Sequence, residues 1–288
     1  MKRVLIIGKN SYIGNHINQW LSKYGFQVDQ LDVLTEGWRT FDYSKFDVLV
    51  HVAGIVHQPK CADWELYKRV NADMPYEIAQ KAKSQGVKQY VYFSTMGVYQ
   101  IQKELYPSIV DESTPLLEEG NSMYGRSKVM AEKMLNKLHD EYFSVTIIRP
   151  PSVYGKGCKG GYIKGFAMIA KYLPVIPQAY ENVRQSFIYI DNLTECVRVV
   201  IENRLYGVFC PQDDEIPNAN RLLSIICKYT GKTYRSSKFF GYILKMLSFI
   251  PLVKKAYGGI EYSRTVSNIP GFEYVVVSFD EGLKRTLA

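Results

Sequence analysis

The chain is poor in the residues that staple small folds or bind metals. Its 288 residues include five cysteines and four histidines. The cysteines (Cys61, Cys158, Cys196, Cys210 and Cys227) are odd in number, scattered and without a CxxC pair. That excludes a disulfide framework and a zinc ribbon, and it points to a reducing compartment. The dispersed histidines give a metal site no support either, so no metal is expected. Long apolar runs are also missing at the start of the chain. Val4–Ile7 spans only four residues, shorter than the apolar stretch of a secretory signal, and a cytoplasmic location is expected. No Pro/Ser-rich linker, low-complexity tract or internal repeat interrupts the rest of the chain.

The residues that are present read as an α/β protein. With 47% hydrophobic and 22% charged residues, a chain of this length can bury a large core and carry a smaller appended lobe. Apolar runs of strand length fall at 3–7, 27–32, 47–52, 89–94 and 143–149, with helical stretches near 12–24, 62–84 and 122–140 between several of them. That rhythm predicts a doubly wound parallel sheet of the Rossmann type, with its ligand at the carboxyl ends of the strands. After Arg149 the alternation weakens and glycine, proline and basic residues increase. The expected division is a dinucleotide-binding domain over 1–150 and a substrate-binding lobe over 151–288, the chain crossing back near 186–205.

Three local patterns carry chemistry. The first strand runs into Gly8-Lys9-Asn10-Ser11-Tyr12-Ile13-Gly14 and then a helix. Glycines there allow a tight turn and close approach of Gly8, Ser11, Tyr12, Ile13 and Gly14 to a pyrophosphate, which the helix N-terminus also attracts. Ser11 stands where a glycine is usual, small enough to keep the approach open. The second strand ends in Asp32, 18 residues after Gly14, near the ~20-residue spacing of a ribose-binding acid. Its charge would repel a 2′-phosphate, which favours NAD over NADP; Asp29 is the competing acid, but it lies mid-strand. Tyr124 and Lys128 are four residues apart on a predicted helix and so share a face. A phenol ordinarily ionises near pH 10, and a neighbouring ammonium can lower that, making the pair a candidate acid/base unit.

The charge is uneven. The net value is +8, and from Arg221 to Arg264 nine basic residues face one acid, Glu261. Nucleotide-sugar, nucleic acid and a membrane surface are the three anionic partners this could serve. No nucleic-acid motif is present, and no nucleic-acid partner is expected. The apolar segment from Phe239 to Val253, interrupted by Lys245 and closed by Lys254-Lys255, is too short to span a bilayer. It can lie on a membrane surface through 239–255, although packing against the substrate lobe is the favoured expectation.

Taken in order, these segments resemble an extended short-chain dehydrogenase/reductase of the NAD-dependent epimerase/dehydratase family, most of all its UDP-glucose 4-epimerase branch. The resemblance rests on Gly8–Gly14, Asp32, His51-Val52-Ala53-Gly54, Val70-Asn71 and Phe93-Ser94-Thr95-Met96-Gly97-Val98-Tyr99. It continues through Tyr124–Lys128, Arg149-Pro150-Pro151-Ser152-Val153-Tyr154-Gly155 and Phe187–Leu193. It implies that Tyr124, Lys128 and Thr95 are catalytic, with Ser94 the alternative to Thr95. Ala53, Gly54, Asn71, Ser94 and Lys128 would join the glycine turn and Asp32 in holding NAD, and Thr95, Tyr124, Ser152 and Arg184 would contact a nucleotide-sugar. A homodimer is expected. Dehydratases of the family carry an Asp-Glu pair directly after the threonine; Met96 and Gly97 stand there, so dehydration is not expected. Two positions depart from the pattern. Gln185 occupies the usual place of a diphosphate-gripping arginine, with Arg184 one residue earlier, and Gln100 replaces a glycine after Tyr99. Lys156 and Lys159 follow Gly155 in a loop expected to be solvated. The activity implied is 4-epimerisation; a 4-ketoreductase and a non-catalytic nucleotide sensor are the alternatives.

Overall fold

Six short strands are laid side by side in one parallel sheet, because a crossover between each and the next returns the chain in the same direction. The structure is a computed structural model and describes residues 1–56, 63–99 and 103–288. Gln100 and Cys61 therefore lie outside the described residues. The chain opens with β1 (Arg3–Ile7), α1 (Tyr12–Lys23), β2 (Gln27–Leu31) and β3 (Val48–His51). Then come α2 (Trp64–Lys68) and α3 (Met74–Ser84), joined by the wider π-type turn Arg69–Asp73, and β4 (Gln89–Phe93), β5 (Ile109–Val110), α4 (Met123–Asn136), β6 (Ser144–Ile148) and β7 (Ser152–Tyr154). The later elements are α5 (Gly161–Tyr172), β8 (Ile176–Pro177), β9 (Phe187–Tyr189), α6 (Ile190–Glu202), β10 (Gly207–Phe209), α7 (Ala219–Tyr229), β11 (Ser236–Ser237), α8 (Lys238–Met246), α9 (Pro251–Tyr257), β12 (Glu261–Tyr262), α10 (Arg264–Ser267) and α11 (Phe279–Leu287).

The strand order is β10-β6-β4-β3-β1-β2, all parallel. The chain reverses its direction of travel across the sheet at β1, and the glycine turn after β1 sits at that switch point, where such sheets bind ligands. β3, β4 and β6 are buried throughout, which explains why they read as unbroken apolar runs rather than alternating ones. The expected strands agree with β1–β4 and β6 to within a residue or two. The sixth strand, β10, has three residues of mixed exposure, too short and too irregular to stand out in the sequence. α6 packs on α1, and β10 pairs with β6 at the edge of the sheet.

Two helical expectations change. The stretch expected as one helix over 62–84 is broken by the π-type turn at Arg69–Asp73, where the Tyr92 hydroxyl donates to the carbonyl of Asn71 at 2.7 Å. The apolar segment from Phe239 to Val253 does not pack against the lobe as favoured. It forms α8 and α9, along which Gly241, Val253 and Tyr257 are buried and Leu244, Ile250 and Ala256 partly so, while most of its large apolar side chains face outward. α8 is amphipathic, and its apolar face lies away from the surface that Gly241 meets, with Lys238 and Lys245 along one edge. Among the described residues no helix is long and apolar enough to cross a membrane.

Candidate active site

The turn after β1 is shaped by atoms that leave no room for side chains. A Cβ on Gly8, whose φ is 125°, would meet the Ala53 amide nitrogen at 2.9 Å, and one on Gly14 would meet the Ser11 hydroxyl at 2.5 Å. Ser11 takes up its extra bulk by capping α1: its Oγ donates to the Gly8 carbonyl at 2.8 Å and accepts from the Gly14 amide at 3.1 Å. The amides of Tyr12 and Ile13 open α1, where a helix has no internal acceptors for them. The side chain of Tyr12 points elsewhere: a Cβ on Gly155 would stand 2.6 Å from its hydroxyl, which is buried and has no partner among the described residues.

Beyond the turn, Val33, Leu34, Trp38, Ala53, Gly54 and Ile55, together with the charged Glu36, Arg39, Arg69 and Glu77, line a cavity of ≈ 430 Å³. Asp32 lies one residue past the end of β2, exposed, with Oδ1 accepting from the Leu34 amide at 2.9 Å. Its competitor Asp29 is mid-strand and 3.9 Å from Arg3. A glycine cradle, a helix N-terminus, a cleft beside them and a carboxylate just past the end of β2 are the parts a dinucleotide needs, so the residues present fit NAD.

Asn71, expected among the cofactor contacts, clamps two segments of the chain together. Its Oδ1 accepts from the Ile55 amide at 2.8 Å, while its Nδ2 donates to the Ile55 carbonyl at 2.9 Å and to the Ser127 hydroxyl at 3.0 Å. Both amide hydrogens go to holding the Gly54–Ile55 loop to α4. Gly54 is pinned in the same way, since a Cβ there would meet Asn71 Oδ1 at 2.9 Å and Lys128 Nζ at 3.4 Å.

α4 begins at a serine cap, Ser122, whose hydroxyl accepts from the Gly125 amide, and it carries Tyr124, Lys128 and Glu132 up one face at four-residue steps. Lys128 is buried and donates to the Phe93 carbonyl at the end of β4 at 2.7 Å, with Nζ 4.5 Å from the Tyr92 ring centre and 6.0 Å from that of Tyr124. Burial penalises its ammonium and pushes its pKa down to about 7. Tyr124 is half-buried, and its phenol is pushed up to about 12 by burial, a hydrogen bond with Thr95 working the other way. The expected depression of the Tyr124 pKa is thus absent from the chain without its ligands, because the low polarity that weakens the lysine charge also disfavours a phenolate.

Thr95 leaves β4 in an extended conformation and caps the short helical turn Met96–Val98, its Oγ1 accepting from the Gly97 amide at 3.1 Å. Ser94 faces the other way. It is buried, and its hydroxyl donates to Glu132, which leaves it only its acceptor lone pairs for a ligand. Glu132 in turn holds Arg149, which also donates to the Tyr99 hydroxyl at 2.7 Å. Glu132 was not anticipated from the sequence, although it lies on the same helical face one turn beyond Lys128.

The remaining positions ring the outer side. Ser152 is half-buried at the start of β7, paired with Phe187 of β9. Gln185 turns back on its own strand and donates to the Ser186 carbonyl at 3.0 Å. Arg184 is exposed, with Nε 3.9 Å from Glu261, too far for a hydrogen bond. Lys156 and Lys159 are exposed in their loop. No group of histidine, cysteine and acidic side chains able to hold a metal exists among the described residues.

Residues 4–208 match the NAD dependent epimerase/dehydratase family, and the chain belongs to that family. A UDP-glucose 4-epimerase of Vibrio cholerae is 29% identical over 160 residues, which cover 54% of this chain but only 48% of that protein. The chain therefore spans about half the length of that relative. An N-acetyl-alpha-D-glucosaminyl-diphospho-ditrans,octacis-undecaprenol 4-epimerase of Escherichia coli O157:H7 is 24% identical over 99% of this chain and 94% of its own length. Among solved structures, a UDP-glucuronic acid 4-epimerase from Bacillus cereus in complex with NAD shares the fold, with a TM-score of 0.73 over 99% of this chain and 95% of its own, at 17% identity.

Proposed function

We propose that this family member is a nucleotide-sugar 4-epimerase that acts on a UDP-hexose or UDP-N-acetylhexosamine through a 4-keto intermediate. The observation that carries the reading is the stacking of Thr95, Tyr124 and Lys128 at the carboxyl edge of β4, next to a cradle that fits NAD. Tyr124 takes the proton of the sugar 4-hydroxyl, and Thr95, hydrogen-bonded to it, orients that hydroxyl. Lys128 stabilises the phenolate in its ammonium form, which a pKa near 7 keeps accessible at neutral pH. Bound NAD supplies the hydride acceptor and donor for C4. Arg184, held only loosely by Glu261, has donors left for the substrate diphosphate, and Ser152 contacts the sugar. Met96 and Gly97 carry no acid or base, which argues against dehydration.

A second reading is favoured by the relative that covers nearly the whole chain, whose name specifies a sugar on an undecaprenyl diphosphate. In that reading the same residues epimerise a sugar carried on a polyprenyl diphosphate. The test is incubation with UDP-glucose, UDP-galactose and their N-acetylated forms with catalytic NAD, read by chromatography. Interconversion of either pair is expected. Conversion of the polyprenyl-diphosphate sugars alone selects the second reading. Stoichiometric loss of NADH or NADPH with a 4-keto-6-deoxy sugar nucleotide would instead make the protein a ketoreductase. Cofactor binding without turnover of any of these would leave a nucleotide sensor.

A further inference from the structure

We infer that the outer face of α8 and α9 docks on an anionic lipid bilayer. Gly241 presses α8 onto the body of the protein: a Cβ there would fall 1.9 Å from the Gln178 carbonyl oxygen. At 100° per residue, Phe239, Tyr242, Ile243 and Met246 form a stripe on the opposite side of the helix. That stripe is in solvent, with Phe239 70% exposed and Tyr242 and Met246 both 68% exposed; Phe249 at 77% and Leu252 at 70% extend it through the turn into α9. Single exposed apolar residues are ordinary, but a continuous stripe of this kind marks a surface that is covered in use.

Charge identifies what covers it. Between Arg221 and Ile260 the chain has no acidic residue. Lys238 and Lys245 flank the stripe along one edge, and Lys255 lies beside its continuation in α9; none of the three has a carboxylate partner among the described residues. Apolar and aromatic side chains bordered by unpaired lysines match the boundary between acyl chains and anionic headgroups, where the rings bury and the ammonium groups rise to phosphate. A protein partner or a second copy would need acids opposite these lysines, and this stretch of the chain supplies none. The helix is too short to cross the bilayer and lies in its surface.

The same hairpin leads into the outer side of the site. Lys254 donates to Glu104 at 2.6 Å, and the chain then passes so close to Arg184 that a Cβ on Gly259 would meet the Arg184 carbonyl oxygen at 2.0 Å. Docking would thus bring the residue assigned to the diphosphate close to the headgroup layer, which suits a lipid-linked sugar. That link rests on the second reading; the bilayer contact does not.

The test is flotation of the full chain with vesicles of phosphatidylcholine alone or mixed with an equal part of phosphatidylglycerol, with no substrate present. Partition onto the mixed vesicles is expected, weakened by salt. The triple variant Phe239→Ser/Phe249→Ser/Leu252→Ser should partition at least tenfold more weakly. Replacing Lys238, Lys245 and Lys255 by Gln should cost about fivefold per lysine. Both variants replace exposed side chains, so melting temperature and sugar turnover in solution should stay at wild-type levels. Absence of wild-type partition, or equal partition of the variants, overturns the proposal. So does a wild-type dimer in light scattering that the Phe/Leu variant dissociates, which would make the face an interface between copies. Because turnover is read separately, failure of docking and failure of the epimerase reading are distinguishable.

Discussion

The Arg149 guanidinium and the Glu132 carboxylate meet twice, Nε donating to Oε1 at 3.1 Å and Nη2 donating to Oε2, with both side chains almost wholly buried behind the candidate active site. Burial opposes the arginine charge, but the hydrogen bonds and charge of Glu132 outweigh it, and the Arg149 pKa is raised. The pair holds Ser94 through Glu132 and Tyr99 through Arg149, and so fixes both ends of the segment that carries Thr95.

Removing one partner strands the other charge. Glu132→Gln should destabilise the fold by ~3–5 kcal/mol, whereas Glu132→Met with Arg149→Met should cost distinctly less. Urea unfolding of Glu132→Met, Arg149→Met and the double variant checks this; a double-variant cost equal to the sum of the two single costs would show that the two residues are not coupled. Glu132 also raises the pKa of Lys128, so Glu132→Gln should move the Lys128 titration to lower pH.

Tyr124→Phe keeps the ring and its packing while removing the ionisable oxygen. The variant should fold and bind NAD, and turnover should fall by about 10²–10⁴. Steady-state rates on whichever sugar the wild type converts provide the measurement. Near-native activity would remove Tyr124 from the mechanism.

The low pKa of Lys128 has a thermodynamic signature. The folded chain releases this proton near pH 7, while the unfolded chain holds it to about pH 10.4. Across that window the unfolded state binds more protons at residue 128, so its contribution to stability becomes more favourable as pH rises, by as much as ~4–5 kcal/mol. Below pH 7 both states are protonated and the burial penalty is constant. Unfolding free energies of wild type and Lys128→Met should differ by an amount that changes between pH 7 and 10 in this sense, and lysine-selective NMR should show one ammonium titrating near neutrality. A flat difference, with every lysine titrating above pH 9, would contradict the assignment.

Asp32 spends Oδ1 on the Leu34 amide, and Oδ2 makes no hydrogen bond among the described residues. A carboxylate in that position accepts from a ribose diol and repels a 2′-phosphate. Binding titrations should show NAD tighter than NADP, with the preference reduced in Asp32→Ala. Equal affinities in the wild type would transfer the ribose contact elsewhere.

Much of the fold was legible because its signals are local. Val4–Ile7, Val48–His51 and Gln89–Phe93 read as buried strands from their own residues, and the turn from Gly8 to Gly14 depends on backbone conformations that few other residues tolerate. Tyr124 and Lys128 share a face by helix geometry alone. What the sequence could not decide is which way each side chain turns and what it meets there. Ser94 and Thr95 are adjacent hydroxyls at a strand end, and only the arrival of Glu132 from α4 sends one into the core and leaves the other beside Tyr124. Asn71 reads as a cofactor contact, and only the fold shows that Ile55 and Ser127 take both its amide hydrogens. The pKa values of Tyr124 and Lys128 obey the same rule, since desolvation is set by everything packed around a group and not by its neighbour four residues away. The apolar residues of α8 were plain in the sequence; that they face solvent was settled by tertiary structure, because hydropathy records how apolar a segment is and not whether anything is there to cover it.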